Sequence, residues 1–219
     1  MDTSTHPGLT HHTYKKSDTH PNEKQTQKKT KGETTIAVIG LGYVGLPLAI
    51  LAERAGYTVV GFDINTERIS SIKKKDVDFL AHDEHTDLTK SSMDVGTRES
   101  ILKNADIFII CVPTPVDEAH VPDLDPLREA SRAVGSYLKE DGLVIIESTV
   151  NPRVCRTIAL PILEEVSGLR GETDFGFAHC PERINPGDPE YGVKNIPRVM
   201  GALGPSSLQN ALEIYRSIL

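Results

Sequence analysis

The run Gly40-Leu41-Gly42-Tyr43-Val44-Gly45 constrains this chain more than any other, because of what flanks it. Thr34 to Ile39 (Thr-Thr-Ile-Ala-Val-Ile) is nearly all apolar, the pattern of a strand covered on both faces. Tyr43 to Ala55 reads as a helix that Gly56 closes. A Gly-x-Gly-x-x-Gly run is weak evidence alone, but between a buried strand and a helix it specifies a tight strand–turn–helix unit. In such a unit Gly40 allows the turn, Gly42 lets a pyrophosphate come close to the backbone, and Gly45 lets the helix pack on the strand. The unpaired N–H groups and partial positive charge at the start of the helix then face the phosphates.

A second strand, Thr58 to Phe62, ends at Asp63, about 20 residues beyond the glycines, where dinucleotide-binding units place an acid. Its carboxylate can accept hydrogen bonds from a ribose diol and would repel a 2′-phosphate, which favours NAD over NADP as cofactor. Arg68, one helical turn further on, softens that preference. Asp63 also has a plain structural reading, as a cap on the next helix; Asn65 can cap that helix, which runs to about Lys75.

Strand and helix signals alternate along the rest of the chain. Residues 76–90 are polar and aperiodic and read as a loop, with at most a short helix. A brief strand near Met93–Val95 and a helical turn around Arg98–Lys103 precede the buried strand Ile107–Val112, which Pro113 and Pro115 stop. A helix over Leu124–Tyr137, a strand over Leu143–Glu147 and a helix from Pro152 to Val166 follow. Phe175–Ala178 and Arg198–Met200 read as later strands, and Ser206–Leu219 as a helix. This alternation implies an α/β fold, a Rossmann-like doubly wound and mostly parallel sheet over residues 34–203. Residues 204–219 read as the beginning of a truncated connector helix, with Leu208, Leu212, Tyr215 and Leu219 on an exposed apolar face that favours self-association. Residues 1–33 lack any hydrophobic period and read as a disordered tail.

Thirty-one acidic residues against 24 basic ones give a net charge of −7, which argues against nucleic acid as a partner. It leaves a small phosphate ligand open, since backbone N–H groups hold phosphate without net charge. No apolar run approaches the roughly 18 residues of a membrane span, and no apolar leader precedes the first strand. The three cysteines, Cys111, Cys155 and Cys180, show no CxxC spacing and fit a reducing cytoplasm. No metal is expected. His6, His11, His12 and His20 lie in the tail, and His82-Asp83-Glu84-His85 lacks the HExxH spacing and reads as a solvated loop.

Four further stretches fall at strand ends, where open α/β sheets bind ligands. They are Val112-Pro113-Thr114-Pro115, Val121-Pro122-Asp123-Leu124, Glu147-Ser148-Thr149-Val150 and Cys180-Pro181-Glu182-Arg183-Ile184-Asn185-Pro186-Gly187. Together with Gly-Leu-Gly-Tyr-Val-Gly-Leu-Pro-Leu-Ala, in this order, the chain from Thr34 onward closely resembles the UDP-glucose/GDP-mannose dehydrogenases. The nearest look is to the branch oxidising UDP-N-acetylmannosamine or UDP-N-acetylglucosamine at C6, for surface polysaccharides.

The resemblance implies Tyr43, Val44, Asp63, Arg68 and Thr114 against NAD, beside Gly40, Gly42 and Gly45. It implies Thr149 beside the nicotinamide, placing the water or oxyanion of the reaction. It implies Glu182 near the reacting carbon and Arg183 and Ile184 against the UDP-sugar. Read alone, Thr149 is an ordinary turn residue and Glu182 a loop carboxylate. Members of the family carry the sugar through a thioester on a cysteine, helped by a lysine, and form homodimers or larger assemblies. Both residues, and part of the UDP-sugar site, would lie beyond Leu219. Cys180 sits inside a motif but is not expected to be that nucleophile, and Cys111 and Cys155 read as packing residues. Two alternatives differ in class: a catalytically incomplete NAD-binding fragment without turnover, and a 6-phosphogluconate-like dehydrogenase, against which the Val-Pro-Thr-Pro and Pro-Glu-Arg motifs speak.

Overall fold

Strand β1 (Thr35–Ile39) sits at the centre of the sheet, and its alternating side chains feed two separate cores. The computed structural model of the protein describes residues 29–182 and 197–219. Among these, seven strands form one sheet in the order β3-β2-β1-β4-β5-β6-β7. They are β2 (Thr58–Phe62), β3 (Asp94–Gly96), β4 (Ile107–Ile110), β5 (Leu143–Ile146), β6 (Gly176–His179) and β7 (Gly201–Ala202), besides β1. All pairings are parallel except β6 with β7, which is antiparallel. The chain steps from β1 outward through β2 and β3, then returns to β4 on the other side of β1. That reversal makes the β1/β4 boundary the topological switch point, where open α/β sheets bind ligands.

Ile36 and Val38 point to one face, with Ile107, Ile109, Leu143 and Ile145, and pack under α1 (Gly45–Arg54) and α6 (Pro205–Ile218). Ala37 and Ile39 point to the other, with Phe108, Ile110, Val144 and Ile146, under α4 (Asp125–Gly135) and α5 (Leu160–Ser167). Strands buried on both faces need the continuous apolar runs seen here. A π-helical turn, Cys155–Ala159, leads into α5, so the single helix expected over residues 152–166 begins as a wider coil.

Several expectations meet corrections. The short helix allowed within residues 76–90 is α3 (His82–Lys90), and it takes in the His82–His85 run that reads as a solvated loop. Glu84 accepts the Ala81 N–H at 3.1 Å, and Leu88 is fully buried, so one anchor and one cap replace an apolar stripe. The expected strand over Arg198–Met200 is displaced to β7. Tyr215, expected on an exposed face, is 5% exposed within the first core, while Leu208 and Leu212 are half-buried and Leu219 stays exposed. The expected tail lies outside the described residues up to residue 28. Residues 31–33 form a 3-10 turn in which Glu33 accepts the Thr30 N–H and hydroxyl. No helix of the described residues is long and apolar enough to cross a membrane.

The glycine turn shows how tightly β1 and α1 are joined. Gly40 has φ +90°, and a Cβ there would lie 2.7 Å from the Cys111 carbonyl oxygen on the neighbouring strand end. A Cβ at Gly45 would overlap the Gly40 carbonyl oxygen. At Gly42 a Cβ would meet no protein atom within 4 Å. Gly45→Ala is therefore expected to destabilise the domain by about 1–3 kcal/mol or more. Gly42→Ala should stay within about 0.5 kcal/mol of wild type. Urea denaturation of both variants checks the contrast.

Candidate functional site

The candidate site lies along the C-terminal ends of β1, β2, β4, β5 and β6. At its first end the turn after β1 aims the start of α1 outward. The amides of Gly42 and Tyr43 have no acceptor among the described residues, and the space beside Gly42 is free of protein. A diphosphate fits such a cradle: a concave backbone with donors, a helix start and room where a side chain would stand.

Asp63 caps β2 beside that turn. Its Oδ2 accepts the Leu41 N–H at 2.7 Å and its Oδ1 the Asn65 N–H at 2.9 Å, so the acid is locked to the glycine turn. Asn65 in turn accepts the Arg68 N–H at 2.9 Å and caps α2 (Thr66–Lys74), as its sequence position suggests. Asp63 is thus tied to the turn and to the following residue, while Asn65 performs the capping. Tyr43 is 54% exposed and rests on Phe79, with Val44 next to it at the start of α1.

At the other end, three strand ends are laced together by two hydroxyls. Thr114, after β4, donates to the Thr149 carbonyl at 2.7 Å, and Thr149, after β5, donates to the Glu182 carbonyl at 2.9 Å. Ser148 is buried and donates to the Val112 carbonyl at 2.6 Å. His179 is half-buried, its Nε2 3.3 Å from the Ser148 carbonyl, and burial holds its pKa below the usual 6.5. Thr114, Thr149 and Glu182 therefore converge, as expected of neighbours in one site. Arg183 and Ile184 lie outside the described residues.

Beneath this edge is a charged cluster that the sequence reading missed. Glu147, at the end of β5, is fully buried and bonded by Arg198 and by the Tyr215 hydroxyl of α6. Arg198 also pairs with Glu182 at 2.8 Å, and both of those side chains are 9% exposed. Burial pushes Glu147 up from an ordinary 4.5 to about 7, against the pull of Arg198 and Tyr215, with the Glu182 carboxylate adding to the rise. Burial likewise raises the Cys180 thiol to about 12, beside the Glu147 charge, and the Cys155 thiol to about 11; Cys111 is raised as well. All three stay protonated at neutral pH and are poor nucleophiles. A signal for the cluster was present in one place, a glutamate that directly follows four apolar strand residues. Arg198 and Tyr215 gave none, because Glu147, which both of them bond, is 51 and 68 residues away from them.

Among the described residues, no three His, Cys, Asp or Glu side chains gather as a metal would require, and His82 and His85 lie on α3. The cluster makes two measurable demands. Arg198→Met strands two carboxylates, one fully buried, and should cost about 3–5 kcal/mol in urea denaturation. The raised Glu147 means the folded protein keeps a proton that the unfolded chain has already released, so its contribution is present below about pH 4.5 and is lost as pH rises through about 7. The stability of Glu147→Gln should therefore gain on wild type by a few kcal/mol between about pH 5 and about pH 8. His179 acts in the opposite direction over part of that range but is common to both proteins, so it cancels in the comparison.

Comparison with known proteins places this geometry. The sequence profile of the UDP-glucose/GDP-mannose dehydrogenase family, NAD binding domain, matches residues 34–219. The UDP-N-acetyl-D-glucosamine 6-dehydrogenase of Pseudomonas aeruginosa is 41% identical over 185 residues, which are 84% of this chain and 43% of that protein. The UDP-N-acetyl-D-mannosamine dehydrogenase of Pyrococcus horikoshii is 38% identical over 189 residues, 84% of this chain and 44% of the relative. A solved structure of UDP-D-ManNAc dehydrogenase from Pyrococcus horikoshii superposes with a TM-score of 0.78 at 36% identity, covering 85% of this chain and 45% of that one. The chain thus spans less than half the length of the curated relatives it matches. From Thr34 onward this chain belongs to the UDP-glucose/GDP-mannose dehydrogenase family, of which it carries the NAD-binding domain.

Proposed function

We propose that this chain is the cofactor-binding part of a cytoplasmic nucleotide-sugar 6-dehydrogenase. Its substrate would be a UDP-N-acetylhexosamine whose C6 alcohol becomes a carboxylate for surface polysaccharide. The observation that carries the reading is the single edge on which the glycine cradle, Asp63 and the Thr114–Thr149–Glu182 lacing lie together. Gly40, Gly42, Tyr43, Val44 and Gly45 would hold the diphosphate of NAD, Asp63 and Arg68 its adenosine end, and Thr114 and Thr149 its nicotinamide end. When bound, NAD supplies the hydride acceptor, one equivalent for each of the two oxidations.

The protein's own groups divide the remaining work. The Thr149 hydroxyl keeps a lone pair to accept from a water or from the substrate C6 hydroxyl while its proton is committed to the Glu182 carbonyl. Glu182 would receive the proton of the C6 alcohol, and Arg198 holds its carboxylate in place beneath the site. Arg183 and Ile184 would contact the sugar nucleotide. The thioester step needs a thiolate, and the three protonated, largely shielded thiols of this chain do not supply one. By itself the chain would bind NAD without turnover.

The test has two arms. Titrated with NAD, the chain should bind, and Gly42→Ala should weaken binding at least about tenfold through steric exclusion of the pyrophosphate. With UDP-N-acetylmannosamine or UDP-N-acetylglucosamine added, no rise in NADH absorbance should follow. A chimera in which residues 34–219 replace the matching part of the Pseudomonas aeruginosa relative should form NADH with one of these sugars. Thr149→Val in that chimera should lower kcat by about 10²-fold through lost positioning of the reacting groups. A folded chimera that binds both ligands and forms no NADH would overturn the reading, as would turnover by the isolated chain.

A further inference from the structure

Asp63 directly follows β2 and Arg68 lies in the first turn of α2, yet they are held by different partners. Both Asp63 carboxylate oxygens are taken by backbone N–H groups. The Arg68 guanidinium instead lies over the ring of Phe79, 4.4 Å from its centroid. Tyr43, from the glycine turn, meets the same ring at 4.5 Å between centroids, tilted by 45°. Phe79 comes from the connection between α2 and α3, is half-buried, and packs against the core cluster under α1. It therefore has a fixed base and offers its ring to two residues of the cofactor edge.

A cation on an aromatic face is held by the ring's quadrupole, and contacts of this kind shift the balance between stacked and free guanidinium roughly 2- to 30-fold. The consequence concerns the adenosine ribose. Asp63 repels a 2′-phosphate, but a nearby guanidinium free to turn toward it would offset that repulsion with a bidentate contact. Arg68 lies in the first turn of α2, immediately past Asp63 and Asn65, and its side chain is long enough to make that turn.

We propose that Phe79 is a specificity-determining residue of the cofactor site: by stacking Arg68 it withholds that cation from a 2′-phosphate and keeps the domain selective for NAD against NADP. Tyr43 braces the ring from the glycine turn, so the phosphate cradle and the ribose selector share one support. The inference rests on the reading that Asp63 and Arg68 serve the adenosine end.

The experiment is calorimetric titration of the 219-residue chain with NAD and, separately, NADP. The proteins are wild type, Phe79→Ala, Phe79→Leu, Arg68→Ala, Phe79→Ala/Arg68→Ala and Asp63→Ala. Phe79→Leu keeps apolar packing without the ring and guards against a fold defect in the alanine variant. Both Phe79 variants should shift the NADP-to-NAD affinity ratio toward NADP about 3- to 20-fold, and the double variant should return to the ratio of Arg68→Ala. Equal weakening of NAD and NADP by both Phe79 variants, with Asp63→Ala lowering NAD affinity as expected, would overturn the role of Phe79 alone. An Asp63→Ala variant that binds NAD as wild type does, or a wild-type chain that binds no NAD, would overturn the adenosine assignment and this proposal with it.

Discussion

A side chain at Gly45 would overlap the Gly40 carbonyl oxygen, and the site depends on that space being free. With no Cβ at Gly45, α1 starts directly against the turn that ends β1, so its first amides lie just above the sheet edge. Gly40, at φ +90°, turns the chain beside the Cys111 carbonyl and so fixes the turn to β4. Asp63 then clamps the turn from the β2 side through Leu41. Three neighbouring strands thus hold one short loop rigidly, and rigidity is what a backbone anion cradle requires. Flexible donors would have to be ordered at the moment of binding.

A different kind of interaction organises the other end. Arg198 lies between Glu147 and Glu182, and Tyr215 brings α6 into the same cluster. Buried charges are costly, and apolar replacements of similar shape often stabilise proteins more, so such a cluster is poor evidence of selection for stability alone. Here it ties the end of β5, the Pro-Glu segment after β6 and the last helix to one guanidinium. Glu182 is held at its carbonyl by Thr149 and at its carboxylate by Arg198. Burial, with the Glu147 charge beside it, keeps the nearby Cys180 thiol protonated, so its place within a sequence motif does not make it reactive.

The sheet was legible because its strands are covered on both faces and therefore written as apolar runs, with glycine or proline marking their ends. Asn65 and Gly56 announced a helix start and a helix end through local chemistry, and both stand where the sequence put them. Helix α3 was not legible, since a cap at Glu84 and one buried leucine leave no period to read. Arg198 was assigned to a strand because Val199 and Met200 look like strand residues, but its position is set by two distant carboxylates. Tyr215 looked like part of an open apolar face because the glutamate that receives its hydroxyl lies far back in the chain. Local motifs thus marked the glycine turn and the strand ends beside it well. The charged cluster depends on contacts across dozens of residues, which no spacing rule reports.

The most direct test of the central claim, that a dinucleotide sits on the glycine turn with its adenosine end at Asp63, is amide NMR of the isotopically labelled chain during addition of NAD. The expected result is that the largest shifts fall on the amides of Leu41 to Leu46 and of Asp63 to Asn65. Smaller shifts should appear near Thr114 and Thr149, and little change in α4 or in the Lys73–Lys75 region. Shifts concentrated elsewhere on the molecule, or a saturating titration that leaves the glycine-turn amides unmoved, would contradict it.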